Sequence, residues 1–254
     1  MTALSLKPAR LAALGRSELT LLVRNRAALS VALLLPLVMV FVLRSTLTGP
    51  QDAAALGEAT LTGGIGMVLV LVVYMNLVSA YVARREELVL KRLRTGEARD
   101  LEILAGTALP ATVLALGQIA VLVAAGAAAL DVRLPRNPPL VLAAVLAGIL
   151  LLAGLSALTS SFTRNVESAG ITTLPLFLLT ALGSGLFLPV DALPDALVPV
   201  CELLPLSGVM TLVRAGWSGG AQGGDLLAAG LTTLAWAGIT VFAVQRWFRW
   251  EPRR

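Results

Sequence analysis

Residues that ordinarily do chemistry are scarce in this chain and poorly placed for it. There is no histidine and a single cysteine, Cys201, so neither a multi-cysteine metal site nor an intramolecular disulfide can be assembled. Nucleophilic catalysis needs a serine or cysteine beside a general base, and the long uncharged stretches contain no candidate base. No G-x-x-x-x-G-K-[ST] phosphate loop is present, so the chain does not bind ATP through one. The most informative charges are Glu86, Glu87, Lys91, Arg92 and Arg94, interleaved with Leu90 and Leu93. Glu87 and Lys91 stand four apart in the order that supports a helix, and Leu90 and Leu93 share a face three apart. A short helix with an apolar ridge and charged flanks can dock into a groove on a soluble partner. The alternative is a solvated loop whose cations only fix topology.

The elements that must hold this segment are read from composition. The chain is 57% hydrophobic and 14% charged, against about 25% charged in an ordinary soluble domain. That much apolar surface cannot hide in one water-soluble core of 254 residues. Uncharged runs occupy 27–43, 59–83, 103–130, 137–163, 168–190 and 226–245. A bilayer core of about 30 Å needs roughly 20 helical residues, so each run is long enough for one crossing and none for two. The expected fold is an all-α polytopic membrane protein, one transmembrane domain over 1–254. Its six spans fall at about 27–43, 61–83, 105–130, 139–161, 168–188 and 226–245. Gly63, Gly64 and Gly66, and Ala144 with Gly148, read as close-packing positions.

Lysine and arginine orient the spans. They concentrate in the N-terminal segment, in 84–102, at Arg164 and after the last span, leaving Arg44, Arg133, Arg136 and Arg214 on the other side. Both termini are therefore expected in the cytoplasm, with Trp247 and Trp250 in an interfacial belt. The charged first 26 residues lack a cleavable signal pattern, so the first span is read as a retained anchor. Residues 4–26 read as an amphipathic interfacial helix, with Leu11, Leu14, Leu21 and Leu22 on one side. Residues 84–102 form a cytoplasmic loop. Residues 189–225 form an extracellular segment whose apolar stretches are too short to span and read as short re-entrant or interfacial helices.

The net charge of +5 is explained by these topology signals, and nucleic acid is not expected as a partner. The spans carry no carboxylate or lysine, whereas ion-coupled carriers usually mark their pathway with intramembrane ionisable groups. Energy must then come from elsewhere.

Three ordered motifs give the chain a family resemblance. They are Arg24-Asn25-Arg26 running into Ala28–Pro36; Glu86–Thr95 followed by Glu102-Ile103-Leu104-Ala105-Gly106; and Leu193-Pro194-Asp195-Ala196 with Leu204-Pro205-Leu206-Ser207 and Leu212-Val213-Arg214. Together with the layout, they make nearly the whole chain resemble the membrane subunit of an ABC-2 type transporter, an ATP-binding cassette exporter. The resemblance implies two permease subunits, a second copy or a paralogue, and two separate ATP-binding cassette ATPase subunits docking from the cytoplasm. MgATP would lie in those partners, with no cofactor or metal in this chain. It also implies a coupling helix after span two, mapping to Glu86, Glu87, Leu90, Lys91, Arg92, Leu93 and Arg94. Members often carry Gly-Thr after the acidic pair, where this chain has Leu88-Val89.

Family precedent places the substrate path between subunits, lined by spans two and five. Asn76, Ser79, Thr173, Thr180 and Ser184 are the candidates; interhelical hydrogen bonding is the competing explanation for each. A largely apolar lining would suit a lipophilic substrate, such as a drug, an antibiotic or a lipid. An ion-gradient-driven carrier and a non-transporting scaffold subunit remain as alternatives. Rich Ala, Leu, Gly and Arg usage suggests a bacterial plasma membrane.

Overall fold

The computed structural model of the chain describes residue 38 and residues 50–95, 99–129, 132–184, 194 and 196–251. Every regular element among them is helical. The first is a rod of three joined parts: α1 (Pro50–Val68), a π-helical segment (Leu69–Met75) and α2 (Asn76–Glu86). After a corner come α3 (Val89–Thr95), α4 (Asp100–Ala129), α5 (Pro138–Phe162), α6 (Val166–Gly183), the short α7 (Val198–Glu202), α8 (Ser207–Ser218) and α9 (Gly223–Trp247).

Local chemistry sets several of these boundaries. Asn137 caps α5 by accepting from Leu140 N, and Pro138 and Pro139 follow where a missing N–H costs nothing. Asn165 and Ser168 close a reciprocal capping box on α6. Glu102, three residues into α4, accepts from the Arg99 backbone N–H at 3.0 Å. Gly219, at φ 72°, ends α8 in the left-handed conformation that suits glycine.

Four described helices are long and apolar enough to cross a membrane: Gly57–Glu86, Asp100–Ala129, Pro138–Phe162 and Gly223–Trp247. They contain the spans expected at 61–83, 105–130 (to Ala129), 139–161 and 226–245. The span expected at 168–188 is represented by α6, whose apolar part, Val166–Ala181, is shorter than a full crossing. The first span and the 4–26 helix lie outside the described residues, apart from Val38.

The helices alternate in direction, so the bundle has two distinct ends. At one, Arg85 meets the close of α5, Arg249 N meets Ser161 Oγ at 3.3 Å, and Lys91 meets Glu251. Arg84, Arg85, Lys91, Arg92, Arg94, Arg99, Arg164 and Arg249 gather at this basic end. At the other, Trp217 Nε1 donates to Arg133 O at 3.1 Å, and Arg136 N and Asn137 N donate to Trp217 O and Gly216 O.

Helices in lipid gain little from hiding apolar groups from one another, so close packing and interhelical hydrogen bonds must hold them. Both are present. A Cβ on Gly148 would come within 2.9 Å of Val209 Cγ1 and 3.1 Å of Leu69 Cδ1, which wedges α5 between α8 and the π segment. One on Gly208 would strike Ala229 O at 2.5 Å, a backbone contact that cannot yield, so α8 and α9 touch through that glycine. The π segment shifts the hydrogen-bond register, and a neighbouring helix answers it: Ser156 Oγ lies 3.0 Å from Tyr74 O. Tyr74 Oη and Thr159 Oγ1, 3.1 Å apart, add a second tie to α5, and Tyr81 Oη donates to Leu104 O of α4 at 3.0 Å.

Candidate functional site

The basic end is organised around Arg85. Only 1% of it is exposed. Its Nη1 and Nη2 donate to Ser160 O and Thr163 O, each at 2.6 Å. Those carbonyls belong to the last turn and cap of α5: Ser160 O also accepts from Thr163 N at 3.2 Å, while Thr163 O lies past the last helical residue, Phe162. A guanidinium fork reaching over from α2 satisfies both at once. The neighbouring Arg84 is only half-buried, one helical step away from that geometry.

Two residues later the rod turns. Glu87 N still reaches Ala83 O at 3.0 Å and Leu88 N reaches Arg85 O at 3.1 Å. Leu88 then takes φ 60°, the one non-glycine residue with positive φ among the described residues. This is the position at which the resemblance noted above expects glycine. The corner separates Glu87 from Lys91, so their expected four-residue pairing on one helix does not occur. Glu86 ends α2, Glu87 caps it, and α3 begins only at Val89. A left-handed L-residue costs about 1–2 kcal/mol, against a flexibility cost for glycine of about 0.5–1 kcal/mol. Leu88 is 40% exposed and has little packing to lose. Leu88→Gly is therefore expected to stabilise the corner by about 0.5–1 kcal/mol, raising the thermal midpoint in detergent, whereas Leu88→Val lowers it.

Beyond the corner, α3 lies across the ends of α2 and α4. Leu90 is fully buried and Leu93 half-buried, so the apolar ridge read from the sequence is turned at Leu90 into the chain's own interior. Glu86, Glu87, Lys91, Arg92 and Arg94 are exposed. Lys91 Nζ pairs with Glu251 Oε1 at 2.8 Å and Arg94 Nε with Asp100 Oδ1 at 3.1 Å. The Arg94 guanidinium also sits 4.8 Å from the Trp250 ring centroid. No ion-pair partner holds Glu86, Glu87 or Arg92 among the described residues. A cleft of about 590 Å³ opens between Lys91, Arg94 and Thr95 on one side and Arg249, Trp250 and Glu251 on the other.

Among the described residues, Ser184 lines a cleft with residues of α8 and α9 that Asn76, Ser79, Thr173 and Thr180 do not line. Asn76 is exposed, immediately after the apolar π segment and at the start of α2. Ser79 is half-buried, with its hydroxyl 3.3 Å from Met75 O. Thr173 is buried and spends its hydroxyl on Ala169 O and Gly170 O of its own helix, both at 2.9 Å. Thr180 is buried as well. Ser184 Oγ faces Ser207 Oγ at 3.2 Å, and its carbonyl accepts from Arg214, joining the end of α6 to α8. Three of the five thus have structural work inside the bundle, and Asn76 alone is exposed.

Sequence reasoning placed Trp250 in an interfacial belt and marked Leu88 as a departure from the family's glycine, but did not find the inward turn of Arg85, the corner at Leu88 or the contact of Trp250 with α3. The signal for Arg85 was its place in an uninterrupted helical run, but a pair of adjacent arginines does not show which one turns inward. Cys201 is a half-buried free thiol, and no group of three or more His, Cys, Asp and Glu among the described residues could hold a metal ion.

No curated protein matches the chain. The family described as ABC-2 type transporter matches it over residues 9–217.

Proposed function

The chain belongs to the ABC-2 type transporter family, and from that premise we propose that it is the permease subunit of an ATP-binding cassette exporter. It moves a lipophilic substrate outward across a bacterial plasma membrane, and separate nucleotide-binding subunits hydrolyse MgATP. The observation that carries this reading is α3: a short charged helix, fixed to the bundle by a buried leucine, with Glu86, Glu87 and Arg92 facing outward beside it. A groove on a soluble partner can grip such an element and push on it.

In this reading the basic end faces the cytoplasm, as the distribution of arginine favours. Six spans are completed by one crossing at 27–43 and by α6 extended towards 188. Two permeases, identical or paralogous, pair in the bilayer. An exposed amide on a span is expensive against lipid, and Asn76 is best accounted for on a face covered by the second permease or by substrate. ATP binding draws the ATPases together, and the motion passes through α3 to Arg85 and the close of α5. A ligand shifts such an equilibrium only by its different affinity for the two states, so the ATPase must grip α3 differently in each.

The test is transport into inverted vesicles holding the chain and its ATPase, with a fluorescent lipophilic amine as probe. The exporter reading expects accumulation that needs MgATP and survives ionophores, with Asn76→Leu changing the apparent substrate KM. Accumulation abolished by ionophores and indifferent to ATP would replace it with the secondary carrier; ATPase binding without transport would leave a scaffold.

A further inference from the structure

The corner at Leu88 separates α3 from α2, and a helix of seven residues has no independent stability. Leu90 fixes its near side. The segment that follows α9 contacts its exposed side. Phe248 leaves the helix with extended backbone at ψ 129°. Its ring meets Tyr81 of α2 edge-on at 6.2 Å and Trp250 edge-on at 4.8 Å. Arg249 N points to Ser161 Oγ near the end of α5 at 3.3 Å. Trp250 then lies under the Arg94 guanidinium, and Glu251 reaches Lys91 at 2.8 Å. One stretch of four residues therefore runs from the α2–α5 seam to Lys91 and Arg94 of α3.

We infer that Phe248–Glu251 is a positioning strap: it sets the orientation in which α3 is presented to the ATPase, and so how much of the ATPase's movement reaches the spans. The inference rests on α3 being the docking helix, but its physical core does not need the partner. Trp250 carries most of the hold, because a ring that meets another ring edge-on and lies under a guanidinium is worth more than an exposed ion pair.

The test compares Trp250→Ala with Trp250→Phe in the full chain. Amide hydrogen exchange of Arg92–Thr95 in detergent, without any ATPase, reads the strap itself. Trp250→Ala is expected to speed that exchange by about tenfold, the equilibrium factor for losing one aromatic contact of this kind. Trp250→Phe, which keeps the ring on Phe248, should stay within a few-fold of wild type, and protection of α4, α5 and α9 should not change. Unchanged exchange at Arg92–Thr95 in Trp250→Ala would overturn the inference, as would a rise spread through the spans. In the complex with the ATPase, Trp250→Ala should lower permease-dependent kcat while KM for MgATP holds, and Trp250→Phe should restore it. Failure of any ATPase to bind the wild-type chain would sink the proposed function and leave the exchange result to decide the strap.

Discussion

Arg85→Ala is expected to be the most damaging single substitution at the basic end, costing about 3 kcal/mol or more. Hydrogen bonds to a charged group contribute about 1.5–3 kcal/mol each, and this guanidinium makes two, at 2.6 Å to Ser160 O and Thr163 O. Alanine would leave Thr163 O without its donor, and Ser160 O with only the 3.2 Å bond from Thr163 N, facing a cavity too enclosed to rehydrate readily, since Arg85 is only 1% exposed. Arg85→Lys should recover less than half the loss, because a point-like ammonium cannot bridge two carbonyls as a planar fork does. Thermal inactivation in detergent measures the stability term. A second effect should appear in the complex even at temperatures where the variant stays folded: ATP hydrolysis continues but transport per ATP falls, because the link from α3 to α5 is cut. An Arg85→Ala protein with wild-type midpoint and wild-type transport per ATP would show that this link bears neither load.

Leu90→Asp should have a comparable effect by a different route. Leu90 is fully buried while Leu93 is half-buried, so the two leucines of the ridge are not equivalent. An aspartate at position 90 must either bury an unpaired carboxylate or lift α3 off α2 and α4, and the second is cheaper for so short a helix. Loss of the leucine packing alone corresponds to about 2–5 kcal/mol, as for other large-to-small changes. The expected outcome is complete loss of amide protection at Arg92–Thr95 and of coupled hydrolysis, with the spans intact by circular dichroism. Leu93→Asp should give a partial loss. Equal loss in the two variants would mean that the ridge is read by a partner rather than by the chain itself.

These predictions depend on features of unequal visibility in the sequence. The uncharged runs 59–83, 103–130 (as far as Ala129), 137–163 (from Pro138 to Phe162) and 226–245 reappear as helix, because a charge excluded from an apolar span is a strong and local signal. The caps at Asn137 and Asn165 are local too, but the charge pattern began those spans at 139 and 168 without using them. The corner at Leu88 was not visible, because neither glycine nor proline marks it; leucine there tolerates a left-handed backbone that its type disfavours. Nor could periodicity say that Leu90 faces inward, since an apolar ridge looks the same whether its groove is supplied by a partner or by α2 and α4. Lys91 was expected to pair with Glu87 and instead meets Glu251, far away in sequence. Thr173 and Ser184 illustrate the same limit at the candidate path: a hydroxyl on a span is equally compatible with a lumen and with a bond to its own or a neighbouring helix. The π-helical segment Leu69–Met75 is an unbroken apolar run with no mark of its altered register.

The measurement that tests the central claim most directly is co-purification of the chain with an ATP-binding cassette ATPase in mild detergent, reading stoichiometry and MgATP hydrolysis. It is run beside a Glu87→Lys/Arg92→Glu variant, since both side chains are exposed and neither ties the bundle together. Two permeases with two ATPases, active in hydrolysis, are expected, with loss of that association in the variant while its spans remain folded. An intact chain that binds no such ATPase, or a variant that assembles and hydrolyses as well as wild type, would contradict the claim.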